Sequence, residues 1–218
     1  MHYHFETLDS TSKYAKENIK NLRTGDYVTC FFQTSGYGVT GLWEGKNKNF
    51  YLSIVIEEDD ILNDKLSFCV MASIVRTLKK YTSEFNVKLP NDIFSNGKKL
   101  SGFIIEKVEN KYIIGVGINV ESSSDEFTYL NHINGVNLSV ETLYESFVEE
   151  ILKSLNSPLN AILSDIKEFV LIGEEIKYID KLTEVEYVDI LKDIDFDFIY
   201  FETNKIEINR FKQILIWH

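Results

Sequence analysis

Basic residues are in deficit along this chain: 23 lysines and arginines stand against 34 aspartates and glutamates, a formal charge of −11 over 218 residues. The acid is spread throughout and no basic stripe interrupts it, so the phosphate-neutralising footprint of a nucleic-acid binder is missing. Cysteine is scarce as well. Cys30 and Cys69 fall in an expected strand and an expected helix, and no charged-then-apolar leader opens the chain. Reduced thiols in a cytoplasmic protein are the expectation. No apolar run approaches the ~20 residues that span a bilayer. Histidine offers little: His2 and His4 share one face of an expected first strand, as a metal pair would, but no further ligand lies at suitable spacing, and His132 and His218 are isolated. There is no internal repeat and no low-complexity segment.

The length is enough to bury a sizeable core and to hold one domain plus a small appendage. Along the chain the apolar pattern switches between two-residue and 3.6-residue periods, as a mixed α/β domain requires. Residues 9–11 can cap a helix running to about 22, 27–32 reads as a strand and 50–56 as a buried one. Leu66, Val70, Ile74 and Leu78, with Met71 and Val75 beside them, make a wide apolar stripe on a core helix. A group of strands covers 85–120, 121–137 is loop-like, and Leu143, Phe147, Ile151 and Leu155 mark another amphipathic helix stopped near Pro158. A shorter helix is expected over 161–170. From 171 the texture becomes short alternating segments, 174–178, 184–191, 196–202 and 205–208, which read as a small β-barrel with Phe196, Phe198, Tyr200 and Phe201 in its core.

Chemistry concentrates in three stretches: KLPND at 88–92, GKKLSGFIIE at 97–106 and GVGINV at 115–120. Pro90 fixes its own φ and pushes Leu89 toward extended geometry, so Asn91 and Asp92 leave the bend at a defined angle. Asn96-Gly97 is a hairpin turn signal, because both residues tolerate positive φ. Lys99 therefore opens a strand. Strict alternation puts Lys99, Ser101 and Phe103 on one face and Leu100, Gly102 and Ile104 on the other, with Gly102 marking close approach to the backbone. An ammonium between a bound carboxylate and an α-phosphate screens two anions that otherwise repel. Each stretch alone also reads as ordinary structure: a turn, a solvated strand end, a buried strand. GVGINV has no third glycine at the required place and is not the dinucleotide fingerprint. The order and close spacing of the three make them specific, and they suit a small acid, a nucleotide phosphate and a metal.

From about residue 5 to the C-terminus these motifs resemble the biotin protein ligases, also called biotin–acetyl-CoA-carboxylase ligases. Asp9, Ser10, Thr11 and Ser12 look like the family's segment that holds the biotin ureido ring, and Gln33 followed by Gly36, Gly38, Gly41 and Trp43 looks like its glycine-rich ligand loop. The resemblance implies an α+β fold of class II synthetase type, a mixed central sheet with flanking helices over 1–170, and an SH3-like β-barrel over 171–218 that helps bind ATP and the carrier protein. It implies Lys99 and Asp92 as catalytic residues. Biotin falls to Ser10, Thr11, Ser12, Gln33, Gly36, Tyr37, Gly38, Val39, Lys99 and Gly102, and the adenylate to Trp43, Asn91, Asn119 and Lys99. Magnesium, or else the incoming amine, falls to Asp92. Biotin and ATP are the implied substrates, and the implied partner is the biotin carboxyl carrier protein of acetyl-CoA carboxylase. Two-fold association through the central sheet is common in the family. Because the first motif begins at Asp9, the type without an N-terminal DNA-binding domain is expected.

One departure stands out. The family's loop usually carries several arginines, whereas this chain has Tyr37, Val39 and Leu42 there, without the bidentate guanidinium fork. Lys46, Lys48 or Lys98 are the expected substitutes. A lipoate- or octanoate-type enzyme of the same superfamily, and an inactive biotin-binding relative, remain alternatives.

Overall fold

The chain runs β1 (His2–Leu8), α1 (Thr11–Glu17), β2 (Tyr27–Gln33), β3 (Phe50–Glu57), α2 (Leu66–Lys79), β4 (Asn86–Lys88), β5 (Asp92–Ser95), β6 (Lys98–Val108), β7 (Lys111–Ile118), α3 (Leu130–Asn134), α4 (Val140–Leu155), α5 (Leu159–Lys167), β8 (Glu175–Asp180), β9 (Val185–Ile194), β10 (Phe198–Phe201), β11 (Lys205–Glu207) and β12 (Phe211–Ile214). The computed structural model describes residues 1–39, 41–43, 48–58, 65–121, 127–135 and 138–214. Among these, seven strands form a mixed sheet in the order β1-β2-β3-β7-β6-β5-β4, parallel between β1 and β2 and antiparallel elsewhere.

Both faces of that sheet are covered, which is why β3 reads FYLSIVIE and β7 reads KYIIGVGI instead of a clean polar–apolar alternation. Leu52, Ile54, Ile114, Val116 and Ile118 enter a core shared with α2, α4 and α5, whereas Val55 and Ile113 pack with Ala15, Ile19 and Leu22 beside α1. α2 is buried over most of its surface, and its two buried polar residues return to its own backbone: Ser73 Oγ donates to the Cys69 carbonyl and Thr77 Oγ1 to that of Ser73. Arg76 ties three helices together, with Nε 2.6 Å from Asp165 on α5 and Nη1 2.9 Å from Ser154 on α4. Cys30 and Cys69 are buried free thiols, and burial pushes them up to about 12 and about 11. No helix among the described residues is long and apolar enough to cross a membrane.

Several expected boundaries move. α1 is capped by Ser10, whose side chain accepts from the Lys13 amide, but it ends at Glu17 instead of near 22. Asn18 Nδ2 takes the Tyr14 carbonyl, and the following turns tighten to three-residue bonds, Ile19 to Lys16 and Leu22 to Ile19. α5 covers Leu159–Lys167, because Val170 bridges Val87 at the edge of the main sheet. The stretch expected as loop over 121–137 contains α3, and the strand β12 was not anticipated.

The C-terminal segments form a second antiparallel sheet, in the order β11-β10-β9-β8-β12, as an SH3-like domain would. Its core aromatics are Tyr178, Phe201 and Phe211, with Tyr178 stacked on Phe201 at 4.4 Å. Of the four aromatics expected there, Phe201 alone is fully buried. Alternation along β10 sends Ile199 and Phe201 inward, and leaves Phe198 and Tyr200 half-buried on the face that carries the Lys205 ammonium. Phe196 instead packs edge-on against Phe68 of α2, at 4.9 Å.

Candidate functional site

Alternation along β7 sends Val116 and Ile118 into the helical core and so turns Gly115 and Gly117 to the opposite face, where their missing side chains let Ser12 and Trp43 come close to the strand. β6 pairs with it, Gly102 opposite Gly117 and Ile104 opposite Gly115. These glycines open a pocket lined by Ser10, Thr11, Ser12, Gln33, Tyr51 and Ile104, among others. Its floor is polar and fully connected. Gln33 Oε1 accepts from the Thr11 amide at 2.9 Å, Ser12 Oγ lies 2.9 Å from Ser53 Oγ, and Ser53 donates to Thr11 Oγ1 at 2.8 Å. A floor of buried hydroxyls and an amide under apolar walls suits a small ligand with a polar head and an apolar body.

Lys99 stands at the rim, on the face that strict alternation assigns to its neighbours. Two residues of β6 fit against one step of β5: Phe94 pairs with Lys99, but Ile93 pairs with Ser101, so Leu100 is the inserted residue of a bulge. Leu100 and Phe103 turn into the core, whereas Lys99, Gly102 and Ile104 share the pocket face. The type I′ hairpin that delivers Lys99 is as expected, with φ of 47° at Asn96 and 76° at Gly97. The Leu89–Pro90 peptide is cis. Asp92 opens β5 opposite Gly102, and its Oδ1 lies 2.7 Å from Lys99 Nζ, off the alignment a hydrogen bond requires. A side chain at Gly102 would meet this pair at 2.8–3.0 Å, so close approach there is real.

Asn91 and Asn119 serve the frame. Asn91 Nδ2 donates to the Phe103 carbonyl at 3.0 Å, and Asn119 Nδ2 to the Lys99 carbonyl at 3.3 Å. The Trp43 indole packs against Gly117, with the Lys99 ammonium 4.8 Å from its ring centroid. The loop bearing it folds on itself: the Trp43 amide donates to the Gly36 carbonyl and that of Gly38 to Gly41, both at 2.7 Å, while Val39 points into solvent above. Gly117→Ala places a methyl within 2.3–2.8 Å of the indole, so Trp43 must swing away. A shifted tryptophan emission with little change in melting temperature is the expected result; an unchanged spectrum would mean the indole does not rest there in solution.

Beyond the rim the pocket opens into a cleft of about 930 Å³ between the two sheets. Lys88, Lys99, Lys181 and Lys212 all line it, in a protein whose net charge is −11. Burial lowers the pKa of Lys88; Asp92 opposes that, and Lys99 and Lys212 add to it. Burial, with Lys212 beside it, likewise lowers that of Lys181. Lys181 and Lys212 escape sequence reasoning, because they arrive from the C-terminal sheet, far along the chain from Lys88 and Lys99. Tyr51, Gly115 and Gly117 were also missed as lining residues, though the alternating glycines carried the signal.

With this geometry in place, a model of the biotin/lipoate A/B protein ligase family matches residues 4–122. The chain belongs to that family. It is 27% identical over 164 residues to the bifunctional ligase/repressor BirA of Escherichia coli K12, covering 68% of this chain and 51% of that protein. It is 30% identical over 133 residues to the BirA of Bacillus spizizenii, covering 56% and 41%. The chain thus spans about half the length or less of these curated relatives. Among solved structures, a biotin protein ligase from Aquifex aeolicus in complex with biotin and ATP superposes with a TM-score of 0.80 at 24% identity, covering 98% of each chain. The Helicobacter pylori biotin acetyl coenzyme A carboxylase synthetase with bound biotinylated ATP gives 0.69 at 19% identity, covering 94% and 98%. At these identities the superpositions establish the fold.

Proposed function

We propose that this family member activates biotin with ATP and transfers it to a lysine of the biotin carboxyl carrier protein of acetyl-CoA carboxylase. One observation carries the reading: an ammonium, Lys99, stands where a polar-floored pocket meets a lysine-lined cleft. The pocket suits a ureido ring on Ser10, Thr11, Ser12 and Gln33, with the valeryl chain along Ile104 and Gly115 and its carboxylate at Lys99. The cleft suits a polyphosphate beside Lys88, Lys181 and Lys212.

In the first step a carboxylate oxygen of biotin attacks the α-phosphorus of ATP; the bond to the β-phosphate oxygen breaks and pyrophosphate leaves. Lys99 offsets the charge gathered between the two anions. In the second, the ε-amine of the acceptor lysine attacks the mixed anhydride, losing a proton and expelling AMP as the amide forms. Magnesium would offset charge on the ATP phosphates. It needs few protein ligands when carried by phosphates, and Asp92 is the cleft carboxylate nearest Lys99, with which a metal would share it. Asn91 and Asn119 would fix the strand geometry around the adenylate, and Trp43 would offer its ring face to adenine. A border between the ligand-binding and C-terminal domains at 170/171 is supported by Phe169, which stacks on Phe85 of the first sheet, and by the Gly173 amide, which bonds Leu191 of the second.

The test is pyrophosphate exchange into ATP with biotin, lipoate and octanoate in parallel, followed by transfer of labelled biotin to an isolated acceptor domain. Exchange dependent on biotin is expected. Exchange with lipoate or octanoate alone would point to the other branch of the family, and saturable biotin binding without exchange to a non-catalytic binder.

A further inference from the structure

Of the cations that proximity in sequence offers the glycine loop, neither described one, Lys48 or Lys98, reaches into the pocket. Lys46 lies outside the described residues. Lys48 bonds Glu141 at 2.8 Å and stands 3.7 Å from the centroid of Phe31, and Lys98 is exposed at the hairpin end. Instead, three elements meet at the mouth of the pocket. The Tyr37 hydroxyl, from the loop, donates to Glu106 Oε2 at 2.8 Å. Lys16 Nζ, from the last turn of α1, donates to Glu106 Oε1 at 2.6 Å and lies 5.0 Å from the centroid of the Tyr37 ring. Glu106 itself follows Ile104 on the pocket face of β6. Burial works against the Lys16 charge, but the Glu106 carboxylate and the Tyr37 phenol prevail and its pKa rises. The Tyr37 phenol is raised too, by burial first and then by Glu106. Tyr37 stays a donor and Lys16 a cation throughout the neutral range.

We propose that Glu106 is a positioning residue for the ligase reaction, holding Tyr37 over the pocket so that the glycine loop retains the acyl-adenylate, with Lys16 as its counter-charge. A carboxylate bridge between loop and helix thereby does what loop arginines would do by direct contact. This rests on the ligase reading above. An ordinary half-exposed ion pair would contribute ~1 kcal/mol or less and would leave ligand release untouched.

Two measurements on Tyr37→Phe, Glu106→Gln, Lys16→Met and Lys16→Arg test the assignment. The first is release of preformed biotinyl-adenylate alongside single-turnover formation. Tyr37→Phe, Glu106→Gln and Lys16→Met should release it about tenfold faster, the effect of one charge-assisted hydrogen bond, with formation little changed in Glu106→Gln and Lys16→Met and with Lys16→Arg restoring retention. The second needs no ligand: proteolytic cleavage within 37–48 should accelerate about tenfold in Glu106→Gln and Tyr37→Phe. Wild-type release rates in these variants, or equal cleavage, overturn the proposal. Should the wild type make no anhydride, the ligase reading fails by itself, and the cleavage rates still decide whether Glu106 holds the loop.

Discussion

Lys99→Ala is expected to lower the rate of biotin-dependent pyrophosphate exchange by about 10²–10³-fold, the usual cost of removing one preorganised group from developing charge. Biotin affinity should fall far less, because the polar floor at Thr11, Ser12 and Gln33 is untouched. A second consequence separates chemistry from folding. Asp92 Oδ1 is inaccessible and faces Lys99 Nζ at 2.7 Å, so truncating the lysine leaves a carboxylate with its cation gone, and melting temperature should drop by a few degrees. Adding Asp92→Asn to Lys99→Ala removes the stranded charge and should restore the melting temperature without restoring exchange. If the single variant exchanges at more than about a tenth of the wild-type rate, Lys99 does not carry the activation step.

Phe147→Ala is expected to have the largest effect on stability, about 3–5 kcal/mol by urea unfolding. The ring is fully buried between α4 and β3, meeting Phe50 edge-on at 5.7 Å. Its neighbour Tyr144 packs on the same Phe50 at 4.9 Å and donates its hydroxyl to the Cys30 carbonyl at 2.8 Å, so the surroundings are pinned and cannot collapse into the void. Set against a typical total of roughly 5–15 kcal/mol, such a loss leaves a marginal fold. Phe147→Leu should cost less than half as much. A loss under ~1 kcal/mol for the alanine variant would mean that α4 is not the main cover of the sheet.

Much of the architecture was legible because it depends on near neighbours. The stripe from Leu66 to Leu78 forms α2, Asn96-Gly97 makes the turn, and the glycines of GVGINV face one way because side chains on a strand must alternate. Misreadings came where one local preference met another. α1 stops at Glu17 because the Asn18 side chain competes for a helix carbonyl, and the aromatics of 196–201 divide between two faces because a run of them cannot all point inward.

From the sequence alone follow a mixture of helices and strands, most of their order, the hairpin that delivers a lysine and a glycine that marks close approach to the backbone. Each is set by interactions within a few residues. Which face Lys99 occupies was settled only by tertiary structure, since the bulge at Leu100 exists in the pairing of β6 with β5 and not in either strand. The same holds for Lys181 and Lys212 entering the cleft, and for Glu106 joining Tyr37 to Lys16 across 69 and 90 residues. Periodicity fixes directions relative to a local axis, and only the packing of distant elements decides where those directions converge.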